Sequence, residues 1–95
     1  MVTHAHIGFK IEDYQRWKDG YDASVEQRKA SGEISYMVFR DMKDPLTLSV
    51  ISVQKSAEKV QAFIVSPDLK DRMKAAGITQ MGQMFILEEL DGGTH

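Results

Sequence analysis

The sequence contains no cysteine, so disulfides, thiolate metal sites, iron–sulfur clusters and cysteine nucleophiles are excluded. It has only two prolines, Pro45 and Pro67, and each punctuates rather than fills a stretch. No apolar run approaches the roughly 20 residues of a membrane span. Charge is nearly balanced, with a formal net charge of −2, so no basic surface is offered to a phosphate backbone and nucleic-acid partners are not expected. Nucleotide-binding and hydrolase signatures (Gly-x-Gly-x-x-Gly, a phosphate loop, Gly-x-Ser-x-Gly, His-Glu-x-x-His) do not occur. The first residues lack a charged region followed by an apolar core, so no signal peptide is expected and a cytoplasmic location is. Ninety-five residues make one domain spanning 1–95, with 91–95 as a loose tail. A chain this small buries only roughly 60–65% of its unfolded surface, which favours a partner subunit.

Residues 4–11 alternate, with Ala5, Ile7, Phe9 and Ile11 on one face and His4, His6, Gly8 and Lys10 on the other, so they read as a strand. From Asp13 to Ser31 the period changes to that of a helix. Tyr14, Trp17, Tyr21, Val25 and Arg28 fall on one face, an acid stands at the start and Gly32 follows the end. Residues 34–40 and 46–53 are β-branched and aromatic, and the turn between them (41–45) makes an antiparallel hairpin. Ser56 caps a second helix carrying Ala57, Val60, Phe63 and Ile64. Ser66-Pro67 restarts it, and Leu69, Met73 and Ala76 continue the stripe to Gly77. A last strand covers about Gln83 to Leu90.

The order β-α-β-β-α-β with right-handed crossovers gives an α+β, ferredoxin-like fold: a four-stranded antiparallel sheet with both helices on one face. The last strand is apolar on both sides (Met84 and Ile86; Phe85 and Leu87), and so is Met37-Val38-Phe39. An uncovered apolar sheet face calls for a cover, and a second copy related by a two-fold axis is the simplest one. A homodimer is expected.

The element order resembles the dimeric α/β-barrel superfamily, which includes antibiotic biosynthesis monooxygenases, stress-responsive barrel proteins and small polyketide cyclases. So do several local strings: Lys10-Ile11-Glu12-Asp13-Tyr14 with Trp17-Lys18, Tyr36-Met37-Val38-Phe39-Arg40-Asp41 with Asp44-Pro45, and Ala62-Phe63 with Ser66-Pro67-Asp68-Leu69. The resemblance implies a dimer with a pocket in each subunit between the sheet and its own helices. It implies action on small aromatic or polyketide-like compounds, in the monooxygenases without metal or flavin, so no cofactor is expected. Some small relatives carry a histidine late in the first strand, just before the lysine. Phe9 stands there in this chain, so a mechanism through that histidine does not carry over.

Candidate site residues follow, each with a plainer alternative. Trp17 and Tyr21, with Phe9 and Phe63, would wall a pocket for a flat apolar ligand, or simply fill the core. Arg28 would hold an anionic ligand group at the pocket mouth, or send its charge to water while its stem packs. His6 is a candidate general base, although its strand face points it toward the dimer side unless a bulge near Gly8 changes the register. Tyr36 is a candidate hydroxyl donor to a developing oxyanion, or a packed strand residue. His4 and His6 lack a third ligand nearby, so no metal is expected. Glu88 and Glu89 are adjacent on a strand and point to opposite faces, so they are no carboxylate pair. The enzyme reading stands beside two others: a non-catalytic binding or stress-response barrel, and a dimerisation module with a filled interior.

Overall fold

A computed structural model describes residues 3–95. Its elements are β1 (Thr3–Ile11), α1 (Tyr14–Ala23), α2 (Val25–Ala30), β2 (Glu33–Arg40), β3 (Thr47–Gln54), α3 (Ala57–Ile64), α4 (Leu69–Ala75) and β4 (Ile78–Glu88). The strands form one antiparallel sheet in the order β2-β3-β1-β4, the ferredoxin-like arrangement expected from the sequence. Among the described residues no helix is long and apolar enough to cross a membrane.

The alternation in β1 sets the two sheet faces. Ala5, Phe9 and Ile11 are buried beneath the helices with Leu48 and Val50 of β3, and Trp17 of α1 closes over them. The β2–β3 turn is held by two aspartates. Asp41 Oδ1 accepts from the amides of Lys43 (2.7 Å) and Asp44 (3.0 Å), and Asp44 accepts from the Leu46 amide (3.1 Å) and the Thr47 hydroxyl (2.7 Å). The Thr47 hydroxyl bond first, and then the Leu46 amide, hold the Asp44 carboxyl below its usual range. Of the two acids at the start of the first helix, Glu12 and Asp13, it is Asp13 that caps it, and Ser56 caps α3 as expected; they accept from the amides of Arg16 (2.9 Å) and Lys59 (3.2 Å). Gly32 and Gly77 end the two helical segments with φ of 104° and 83°, conformations that favour glycine.

Three expectations are corrected. The helix expected over 13–31 is two helices that break at Ser24, because the Tyr21 carbonyl is taken by other donors. Ser24 Oγ donates to it at 2.8 Å, the Ser24 amide at 3.2 Å and Arg28 Nη2 at 2.8 Å. The second helix does not resume at Pro67. Residues 66–68 form a turn closed by the Leu69 amide on the Ser66 carbonyl (3.2 Å), and α4 begins at Leu69. Finally, β4 starts at Ile78, several residues before the expected Gln83, because it carries a bulge. Ile7 pairs with Met84 and Phe9 with Met81, so two steps on β1 span three on β4. Gly82 sits in that bulge against Gly8, and a Cβ on Gly82 would lie 2.4 Å from the Gly8 carbonyl oxygen. The bulge comes after the pairings His4↔Leu87 and His6↔Phe85, so it leaves both histidines on the face away from the helices.

That outer face is apolar and open. Met37, Phe39, Phe85 and Leu87 are each about half exposed, and Ile51 and Val53 lie between them on β3.

Candidate functional site

A cavity of about 520 Å³ lies between the helix-facing side of the sheet and the four helices. Its floor comes from Ala5, Ile7 and Phe9 of β1, Val50 and Ser52 of β3 and Met84 of β4. One wall is α1 with Arg28 of α2; the opposite wall is α3–α4, through Val60, Phe63 and Met73. The lining is largely apolar because strand periodicity sends one apolar series under the helices and helix periodicity sends another over it.

The α1 wall is a continuous aromatic run. Phe9 and Trp17 meet at 5.4 Å between ring centroids, Trp17 and Tyr21 stack at 4.8 Å with planes 22° apart, and Tyr36 meets Tyr21 edge-on at 5.2 Å. Offset and edge contacts of this kind add about 0.5–1.5 kcal/mol per pair beyond burial. Trp17 belongs both to the buried core cluster and to the cavity wall, so the alternatives set out for it are not exclusive.

One end of the cavity is polar. Arg28 and Glu33 form an ion pair with side chains only 10% and 9% exposed. The guanidinium also donates to Ser24 Oγ (3.2 Å) and the Tyr21 carbonyl (2.8 Å), and it lies 3.7 Å above the Tyr21 ring. Arg28 therefore neither sends its charge to water nor stands free at a mouth; it is buried and satisfied by Glu33. The Tyr21 hydroxyl donates to the other Glu33 oxygen at 3.5 Å. Burial, and then the nearby Glu33 charge, raise the Tyr21 pKa far above its usual value, so the phenol stays neutral. Next along the floor, Ser52 is buried and accepts from Gln54 Nε2 at 2.7 Å.

The candidates from the sequence divide accordingly. Phe9, Trp17, Tyr21, Arg28 and Phe63 all line the cavity. Tyr36 does not: it meets Tyr21 edge-on from outside the lining and is 39% exposed. His6 is on the far side of the sheet, stacked on Phe85 at 6.1 Å. The structure therefore does not bring His6 and Tyr36 together, and puts neither at the cavity. His4 Nε2 lies 3.4 Å from Glu89 Oε1 on the same outer side, and among the described residues no three metal-ligating side chains cluster. Sequence reasoning missed Glu33, Ser52 and Gln54. The signal for Glu33 was an acid directly after the helix-ending Gly32 and five residues beyond an otherwise unexplained arginine.

No family model and no curated protein matches the sequence. Solved structures do match it over nearly their whole length. A candidate antibiotic biosynthesis monooxygenase from Chloroflexus aurantiacus J-10-fl is 21% identical with a TM-score of 0.62, covering 99% of this chain and 98% of that one. A candidate antibiotic biosynthesis monooxygenase from Bordetella bronchiseptica gives a TM-score of 0.74 at 10% identity, covering 94% and 97%. SnoaB, a cofactor-independent oxygenase from Streptomyces nogalater, gives 0.70 at 11% identity, covering 96% and 94%. The chain has the ferredoxin-like fold of the antibiotic biosynthesis monooxygenase-like proteins.

Proposed function

We propose that the chain binds a small, flat, aromatic or polyketide-like compound in this cavity and acts on it as a cofactor-independent monooxygenase- or cyclase-like enzyme, working as a homodimer. The observation that carries the reading is the cavity itself: about 520 Å³, walled by an aromatic stack and polar at one end. Ligand sites typically occupy about 300–1,000 Å³ and combine an apolar lining with a few fixed polar groups. The fold shared with a cofactor-independent oxygenase supports the same reading. A solid interior, as a pure dimerisation module would have, leaves no such space. The open apolar sheet face supports the dimer, with His6 and Phe85 in its interface.

A second reading is a binding or stress-response barrel without chemistry. One observation favours it: among the described lining residues there is no histidine, and the one carboxylate, Glu33, is already paired with Arg28. Native mass spectrometry of freshly purified protein tests both, with a dimer carrying a small molecule as the expected result. Incubation of polycyclic phenols under oxygen then separates them. Products gaining an oxygen atom or closing a ring support the enzyme; tight binding that quenches Trp17 fluorescence without turnover supports the binding barrel. A monomer that quenches with no aromatic compound removes both.

A further inference from the structure

We infer that the Glu33 carboxylate is the hydrogen-bond acceptor that selects a hydroxylated aromatic ligand, a phenol or an enol, at the polar end of the cavity. The inference rests on the proposed binding of an aromatic compound there and names the class. Glu33 is the first residue of β2, set against Arg28 by the turn at Gly32, whose φ of 104° swings the chain from helix into sheet. Its two oxygens are unequally used. Oε2 takes Arg28 Nη1, whereas Oε1 receives only the Tyr21 hydroxyl at 3.5 Å, the outer limit of a hydrogen bond. A carboxylate has about four acceptor positions, so Glu33 keeps accepting capacity while it is 9% exposed and lines the cavity.

The charged donor beside it is already engaged: Arg28 donates to Ser24 and the Tyr21 carbonyl besides Glu33, and the Gln54 amide gives one of its two N–H groups to Ser52. The ion pair is neutral as a whole, so an anionic ligand gains little from Arg28 and meets the Glu33 charge. A neutral hydroxyl meets a free acceptor in an apolar surround, where a charge-assisted hydrogen bond is strong. The geometry supplies the reach. The Tyr21 ring stacks on Trp17 in the wall while its own hydroxyl touches Glu33, so a ring lying along that wall carries a hydroxyl to the same carboxylate.

Equilibrium dialysis with naphthalene, 2-naphthol, 2-methoxynaphthalene and 2-naphthoate tests this on the intact protein. Wild type is expected to hold 2-naphthol roughly tenfold more tightly than its methyl ether, the worth of one hydrogen bond to a charged group. Glu33→Gln is expected to lose most of that preference. The Arg28→Met/Glu33→Leu double variant removes the pair without leaving a bare charge. It is expected still to bind naphthalene and to show no preference for the hydroxyl. Equal wild-type affinity for 2-naphthol and its ether, with naphthalene bound, overturns the inference and leaves the proposed aromatic site standing. Tightest binding of 2-naphthoate overturns it in favour of an anion on one of the arginines that line the cavity, Arg16, Arg28 or Arg72, and a preference that survives in the double variant overturns it too. Failure of all four probes to bind removes the aromatic site itself, and the inference with it.

Discussion

Arg28→Met is the substitution whose cost follows most directly from the geometry. Methionine keeps most of the stem's apolar contact but removes the charge that Glu33 is paired with, while the Glu33 side chain stays 9% exposed. Breaking a buried ion pair from one side costs about 3–5 kcal/mol, because the remaining charge is left unpaired in a medium that solvates it poorly. The Tyr21 carbonyl is not orphaned by the change, since the Ser24 hydroxyl (2.8 Å) and amide (3.2 Å) still donate to it, so no second penalty is added there. A chain of this size has about 5–15 kcal/mol of stability in all, so the loss is a large fraction. At about 4–8 °C per kcal/mol for a domain of 60–100 residues, the midpoint should fall by roughly 12–40 °C. Thermal and urea unfolding followed by circular dichroism, at one fixed protein concentration, measure it. The Arg28→Met/Glu33→Leu double variant should recover most of the loss, because replacing both partners of a buried pair with apolar groups is often neutral. A single variant within about 1 kcal/mol of wild type, or a double variant worse than the single, would refute the claim that this pair is buried and mutually dependent.

Other outcomes are expected elsewhere in the molecule. Gly82→Ala should cost about 1–3 kcal/mol by urea unfolding, since its Cβ would lie 2.4 Å from the Gly8 carbonyl oxygen, a backbone atom that cannot turn aside as a side-chain end could. Phe85→Glu puts a charge on the open sheet face beside His6; light scattering is expected to give the dimer mass for wild type and the monomer mass for the variant, with the far-ultraviolet spectrum unchanged. Tyr21 has a raised pKa in the folded state, caused first by burial, so the folded chain holds that proton more tightly than the unfolded one. Its contribution to stability is therefore fully present below the ordinary tyrosine value of about 10 and is lost as pH rises beyond it. Phenolate absorbance of the native protein should show at least one tyrosine resisting ionisation well above pH 10, and Tyr21→Phe should abolish that fraction.

Much of the fold was open to sequence reasoning because the burial pattern is local there. Ala5, Ile7, Phe9 and Ile11 alternate without interruption, and Asp41 and Asp44 sit where a turn needs side-chain acceptors. The break at Ser24 was not visible, because the residues that report helix periodicity run straight across it. Val25 and Arg28 keep the phase set by Tyr14, Trp17 and Tyr21. What ends α1 is competition for the Tyr21 carbonyl, from the Ser24 hydroxyl and amide and from Arg28, whose position depends on Glu33 after the turn. The start of β4 was hidden for a related reason. The strand expected from about Gln83 leaves Gly82 outside it, and only the approach of Gly82 to Gly8 in the neighbouring strand identifies it as a bulge inside a longer strand.

The polar end of the cavity shows why fold and candidate site resisted separation from sequence alone. Arg28 on the aromatic stripe offered two destinations, water or a ligand, and the residue that decides between them lies in the next element. Once Glu33 is there, the arginine becomes part of the architecture: it shares the Tyr21 carbonyl with Ser24 at the helix break and packs on the ring that walls the cavity. The same step moves the chemistry onto the carboxylate, whose second oxygen is left with one long contact. A change at either member of the pair must therefore shift stability and ligand preference together. Affinity measured on single variants alone confounds the two, and the paired apolar replacement is what separates them, because it removes the acceptor without leaving an unpaired charge.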